Sequence, residues 1–261
     1  MSYVVIIFVA LSVSILTFFS GFGLGTLLMP AFALFFPIDV AIAATAIVHL
    51  ANNLFKLALT GKNAHFKTVL LFGIPAILFA FAGAWLLTLI SGLEPLYTYH
   101  LGTKSCSVEP VKLFMAVLLV FFAIFELSKK LRNLTFQRKY LPVGGALSGF
   151  FGGLSGQQGA LRAAFLVKSG LPKEQFVGTG VMVSVFVDIS RLIVYGYYFT
   201  NTSLLTNNPT VVNLIILGTL AAFIGSFFGN RLIKKVTLAT IQKFVGFMLL
   251  IVALLLAFGV I

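Results

Sequence analysis

The chain has 261 residues, 60% of them hydrophobic and only 9% charged, with 29 Phe and a mean hydropathy of +1.10. A water-soluble domain carries about 25% charge, so this composition excludes a soluble globular enzyme and points to an integral membrane protein. The net charge of +12 does not make nucleic acid an expected partner. The basic residues sit in short connections between apolar runs, as a positive-inside bias requires.

Apolar runs punctuated by Gly, Pro and charge predict ten helical segments, near residues 3–20, 24–36, 39–60, 66–91, 111–131, 140–155, 159–170, 174–199, 211–229 and 238–260. The expected fold class is therefore all-α and polytopic. The first run, MSYVVIIFVALSVSILTFFS, lacks a basic leader and a small-residue cleavage site and is expected to be a retained membrane segment. The second and seventh segments have 13 and 12 residues. At ~20 Å they are short of a ~30 Å hydrocarbon core, so half-helices are expected there.

Charge assigns the sides. The connections at 61–67, 129–139, 168–174 and 230–243 hold thirteen of the 18 basic residues and are expected inside. Those at 92–112 and 200–210 carry only Lys104 and Lys112 and are expected outside. Lys56, Arg162 and Arg191 fall within apolar segments.

A gap-free shift of 135 residues superposes Ser20-Gly21 on Ser155-Gly156, Pro37 on Pro172, Asp39 on Glu174, Asn53 on Asp188, Lys56 on Arg191 and Gly61 on Gly196. Gly61 ends a segment on the basic side and Gly196 ends one on the uncharged side. The two copies, 1–132 and 133–261, are thus expected to be inverted repeats of five segments each within one membrane domain, a recurrent construction of secondary transporters.

Within each repeat glycine clusters interrupt the first apolar run, at SGFGLGTLLMP from Ser20 and SGQQGALRAAF from Ser155. Glycine frees the backbone from helical geometry. In hydrocarbon such breaks persist only where they line a cavity or are buried in protein. A half-helix restarting there aims its N–H groups and positive dipole end at the break, which favours an anion. Close-packing glycines of the small-xxx-small kind are the alternative. An anion site here would draw on Gly21, Gly23, Gly25 and Thr26 in the first repeat, and on Ser155, Gly156, Gln157, Gln158, Gly159 and Arg162 in the second.

These segments resemble the sulfite exporter TauE/SafE family, also called the toluene sulfonate uptake permease family. The resemblance rests on GFGLGTLLMP followed by FPIDVAIAATA, and on GGLSGQQGALRAAFLVKSGLP followed by FVGTG and VDISRLIVYG, and it covers nearly the whole chain. It implies a polytopic plasma-membrane carrier of small sulfur oxyanions such as sulfite, sulfonates or sulfoacetate, built from two related halves, with substrate around Gly21, Gly23, Gly25, Gly156 and Gly159. The chain departs from the family's glycine run at Gln157-Gln158, and Phe165 stands where Pro30 has its counterpart.

Ionisable groups inside a membrane cost at least ~2.5 kcal/mol each and are functional candidates. Arg162, one turn into its half-helix, can curl back to the break and meet an oxyanion bidentately, or serve a buried carbonyl instead. Asp188 and Arg191, at i and i+3, form a local ion pair, or Asp188 is a coupling carboxylate. His49, Asn53 and Lys56 occupy the same face in the first repeat, with no carboxylate on their helix at that depth. Lys56 would snorkel to the inner surface or charge the anion's path. His49 is either a proton-linked group or a structural, hydrogen-bonded one. A proton or a sodium ion is then the candidate coupling ion.

Cys106 is the only cysteine, which excludes an intramolecular disulfide. The spacing of His100, Cys106 and Glu109 fits no standard metal site, and neither a metal nor another cofactor is expected. No Walker motif, HExxH or GxSxG occurs, against ATP drive by this chain and against an intramembrane enzyme. A secondary carrier for a small anion is the leading expectation, and an anion channel or a carrier for another anion or carboxylate is the alternative. The sequence sets no oligomeric state.

Overall fold

A computed structural model describes residues 2–17, 24–102, 104–132, 134–202, 209–232 and 238–261. Among them eleven α-helices run in chain order: α1 (Ser2–Thr17), α2 (Leu24–Ala33), α3 (Ile38–Thr60), α4 (Phe66–Ser91), α5 (Pro110–Leu127), the four-residue α6 (Lys129–Arg132), α7 (Leu141–Ser155), α8 (Gly159–Leu166), α9 (Lys173–Thr202), α10 (Pro209–Leu232) and α11 (Leu238–Ala257). Among the described residues five stretches are long and apolar enough to cross a bilayer, at Ile38–Asn63, Phe66–Ser91, Pro110–Leu127, Lys173–Tyr198 and Pro209–Gly229. All ten expected segments are present. The half-helices α2 and α8 are shorter than expected, since the backbone turns before Pro37 in one and passes through a 3-10 turn to left-handed Gly170 (φ 77°) in the other.

One departure from an all-helical fold lies in the 92–112 connection, where Tyr97–Leu101 (β1) pairs antiparallel with Lys104–Val108 (β2), Leu101 opposite Lys104. Aromatic and β-branched residues suit a strand, and Gly102 takes the positive φ (63°) that the tight turn needs. The C-terminal end clasps this hairpin, with Tyr99 Oη donating to the Phe258 carbonyl at 2.6 Å. Because Tyr99 is only half-buried, Tyr99→Phe is expected to lower stability by no more than about 1 kcal/mol, read as a small downward shift in melting temperature.

The two halves of the sequence do not form separate bodies. Helix α4 packs along α7, α1 along α10, α5 along α11, and α3 along α9. The α4–α7 seam is the tightest. A Cβ built on Gly145, Gly149 or Gly153 would lie 2.1 Å from the carbonyl oxygen of Phe72, Ala76 or Ala80 respectively. Three glycines at i, i+4 and i+8 therefore let two backbones touch. Close-packing glycine is thus a real feature of α7, one to three turns before the break.

Two apolar clusters result. The larger joins α1, α2, α3, α5, α10 and α11, and the smaller is built on Phe72, Ala76 and Ala80 of α4 with Leu141, Phe165, Val183 and Val187. Phe165 stacks on Phe136 at 4.2 Å between centroids. Gly144 makes room, since a Cβ there would fall 2.3 Å from the Phe165 ring. Phe165 is a packing residue.

Candidate functional site

The second break is short. Helix α7 ends at Ser155, Gly156 takes the left-handed conformation (φ 80°), and α8 restarts at Gly159 after Gln157 and Gln158. The reversal requires glycine at 156, because that φ is unfavourable for a side chain and because a Cβ would sit 2.8 Å from Arg191 Nη1. All three of Gly156, Gln157 and Gln158 are buried. Gly21 and Gly23 of the first break lie outside the described residues. Gly25 and Thr26 lie in the buried first turn of α2, and a Cβ on Gly25 would stand 3.3 Å from the Gly156 carbonyl oxygen and 3.5 Å from His49 Cδ2. The start of α2 thus meets the second break, with the imidazole beside both.

Beneath this junction lies a polar network centred on Asp188, which is fully buried. Its Oδ1 accepts from Arg191 Nε at 3.1 Å and Nη2 at 2.8 Å, and from Gln158 Nε2 at 3.4 Å. Its Oδ2 accepts from Asn53 Nδ2 at 2.8 Å and stands 2.7 Å from His49 Nδ1. Helices α3 and α9 therefore share one carboxylate. The expected Asp188–Arg191 pair forms, and the folded chain hands the same carboxylate to His49 and Asn53 of α3 as well.

Arg162 curls back toward the break. Its Nη1 donates to Gln158 Oε1 at 3.2 Å and to the Ser184 hydroxyl. The Gln158 carbonyl in turn accepts from Ser148 Oγ at 2.9 Å and from the Arg162 N–H at 3.1 Å, which fixes the break. Lys56, only 5% exposed, does not snorkel to the surface. It lies near enough to Arg162 to feel its positive charge. Ser155 spends its hydroxyl on its own helix, donating to the Phe151 carbonyl at 3.0 Å, and so offers a ligand only its backbone.

Two buried donors have no hydrogen-bond partner among the described residues at this spot, Gln157 Nε2 and Arg191 Nη1. Gln157 follows Gly156 in the chain, and Arg191 Nη1 stands 2.8 Å from where a Gly156 Cβ would lie. An unpaired buried donor costs about 1–3 kcal/mol, more when charged, and native proteins leave few of them. A small oxyanion would satisfy both. The described residues hold no group of three or more His, Cys, Asp or Glu able to bind a metal. A cavity of about 250 Å³ lined by Phe114, Val117, Leu118, Phe121 and Phe151 is wholly apolar and stands apart from this network.

Sequence reasoning missed Ser148 and Tyr195. Tyr195 is buried and its hydroxyl donates to the Gly153 carbonyl, tying α9 to the last turn of α7. A signal existed, since Tyr195 follows Asp188 and Arg191 by seven and four residues and so shares their helix face.

Compared with known proteins, the chain matches the family model for the sulfite exporter TauE/SafE over residues 6–256. No curated protein and no solved structure matches it.

Proposed function

The chain belongs to the sulfite exporter TauE/SafE family, whose members are membrane transporters and not enzymes, and on that premise we propose that it is a multi-pass plasma-membrane secondary carrier of a small sulfur oxyanion, bound where the start of α2 meets the α7–α8 break. The observation that carries this reading is the pair of buried donors around Gly156, Gln157 Nε2 and Arg191 Nη1, left without partners. Backbone N–H groups at the start of α2 and α8 add donors with positive dipole ends. Arg162, held by Gln158 and Ser184, supplies further positive charge close by. Sulfite, sulfonates and sulfoacetate are the substrate class.

The two-repeat reading has physical support. Asn53 and Asp188 are 135 residues apart, the repeat spacing, and touch at 2.8 Å; two equivalent positions can meet only at the local two-fold axis between copies. Helix α3 packs on its counterpart α9, and α5 on α11. The seam of α4 with α7 has its equivalent in the seam of α10 with α1. Because these seams interlock the halves, transport would rock mixed pairs of helices about the breaks.

Sidedness follows from charge. The bond from Tyr99 to Phe258 keeps the C-terminal end with the uncharged connection, and the bond from the His65 N–H to Thr179 Oγ1 at 2.9 Å keeps 61–67 near the start of α9. Both agree with a C-terminal end outside and 61–67 inside. Single cysteines at Thr98 and at Lys62, in a Cys106→Ser background, are expected to label from opposite sides; labelling of both from outside would refute this.

The functional test is flux of sulfite, methanesulfonate, sulfate and acetate in proteoliposomes. A carrier shows trans-stimulated exchange and a channel shows conductance. Replacing Arg162 by Ala is expected to weaken binding of the preferred anion by ~2 kcal/mol, and equal affinity in the folded variant would assign Arg162 to packing.

A further inference from the structure

We propose that His49 takes up one proton with each anion bound at the break, so that anion and proton cross together. This rests on the break-site reading above and adds the coupling ion to it. The orientation of one imidazole makes this possible. Its Nδ1 stands 2.7 Å from Asp188 Oδ2 and 3.0 Å from Asn53 Nδ2; Asn53 spends a hydrogen on that same Oδ2 at 2.8 Å, and an ionised carboxylate, here also held by Arg191, can only accept. The Nδ1 position therefore carries the hydrogen. In the neutral ring Nε2 is then a bare lone pair.

That lone pair faces the anion's side. His49 Nε2 lies 3.7 Å and Cδ2 3.5 Å from the Cβ position of Gly25, whose other neighbour is the Gly156 carbonyl at 3.3 Å. A lone pair repels an arriving oxyanion, and a second hydrogen on the ring turns the same atom into a charged donor. Binding the anion and binding the proton therefore favour each other, and by linkage the effect is reciprocal.

The surrounding charges suit a group that is neutral until the anion arrives. The charged groups that face the imidazole are Asp188 and Arg191 on α9 and Lys56 on α3. Arg162 on α8 adds positive charge near Lys56. Tyr195 on α9 is engaged with the Gly153 carbonyl. Helices α2 and α10, which also pack on α3, bring no titratable side chain among the residues whose side chains are described. One carboxylate thus faces three fixed cations, and an anion restores the balance that a fourth cation needs. The proton comes from the water on the loading side, bonds to Nε2, and leaves to water on the far side when the anion departs. No other bond changes.

The test uses the full chain in nanodiscs and methanesulfonate, whose charge is constant over the pH range. In weakly buffered solution binding should take up one proton per anion, and affinity should fall roughly tenfold per pH unit on the alkaline side. His49→Gln should bind without proton uptake and with a flat pH profile. In ¹⁵N-histidine spectra of the unmutated chain, which has three histidines, Nε2 of His49 should become protonated on adding methanesulfonate. Binding that Gln157→Ala weakens but that brings no proton uptake overturns this inference alone, as does undiminished uptake in His49→Gln or an unchanged His49 spectrum. Failure to bind methanesulfonate, or binding that Gln157→Ala leaves untouched, overturns the break-site reading and this inference with it.

Discussion

Asp188→Asn is expected to be the most damaging single polar replacement in the protein, reducing folded yield severely. The carboxylate is fully buried and serves four side chains from α3, α9 and the α7–α8 break. Asparagine keeps the shape but removes the charge. Arg191, itself fully buried, would then be an uncompensated cation in a low-dielectric interior, at a cost of ~3–5 kcal/mol. The new amide would also turn a donor toward His49 or Asn53, where only an acceptor fits. Against a total stability of ~5–15 kcal/mol, that is a large fraction. The check is yield and melting temperature in size-exclusion chromatography. Adding Arg191→Gln should recover much of the loss, because the pair is then neutral. Normal folding of the single variant, with loss only of proton-driven transport, would mean that Asp188 is the coupling group itself.

Gly149→Val should be comparably severe for a different reason. Its Cβ would lie 2.1 Å from the Ala76 carbonyl oxygen and 2.5 Å from the Ala76 Cα. Both neighbours are backbone, so no rotamer change relieves the clash. Helices α4 and α7 would have to separate along a seam that Gly145 and Gly153 hold equally close, and the Phe72–Ala76–Ala80 cluster would open with them. A loss of about 3 kcal/mol or more is expected. Gly196→Val is the control, since nothing lies within 4 Å of a Cβ there. If Gly149→Val melted within a few degrees of the control, the helices could not be packed as closely as described.

Much of this was legible in the chain itself, and the remainder was not for identifiable reasons. Helix α4 begins and ends where Lys67 and Gly92 punctuate an unbroken apolar run, so its bounds at 66–91 could be read directly. The break at Gly156 was marked by glycines in a run too apolar to be a loop. A 135-residue shift pairs Asn53 with Asp188, yet a shift in sequence cannot say that the two touch, as they do at 2.8 Å. For the same reason the bridge from His49 to Asp188, 139 residues apart, left no local pattern. The spacing of Gly145, Gly149 and Gly153 was visible, but in a membrane helix such glycines face a neighbour whose identity the sequence does not name. The hairpin at 97–108 leaves no pattern in the chain, since five-residue strands carry little periodicity.

The most direct test of the account is where an oxyanion sits. Crystals of the full chain grown in lipid and soaked with selenite, the selenium analogue of sulfite, would report the selenium by anomalous scattering. The selenium peak should fall between the start of α2 at Gly25 and the break at Gly156-Gln157, within hydrogen-bonding distance of Gln157 Nε2 and Arg191 Nη1. A selenium peak elsewhere in the membrane interior, with that junction empty, would contradict it.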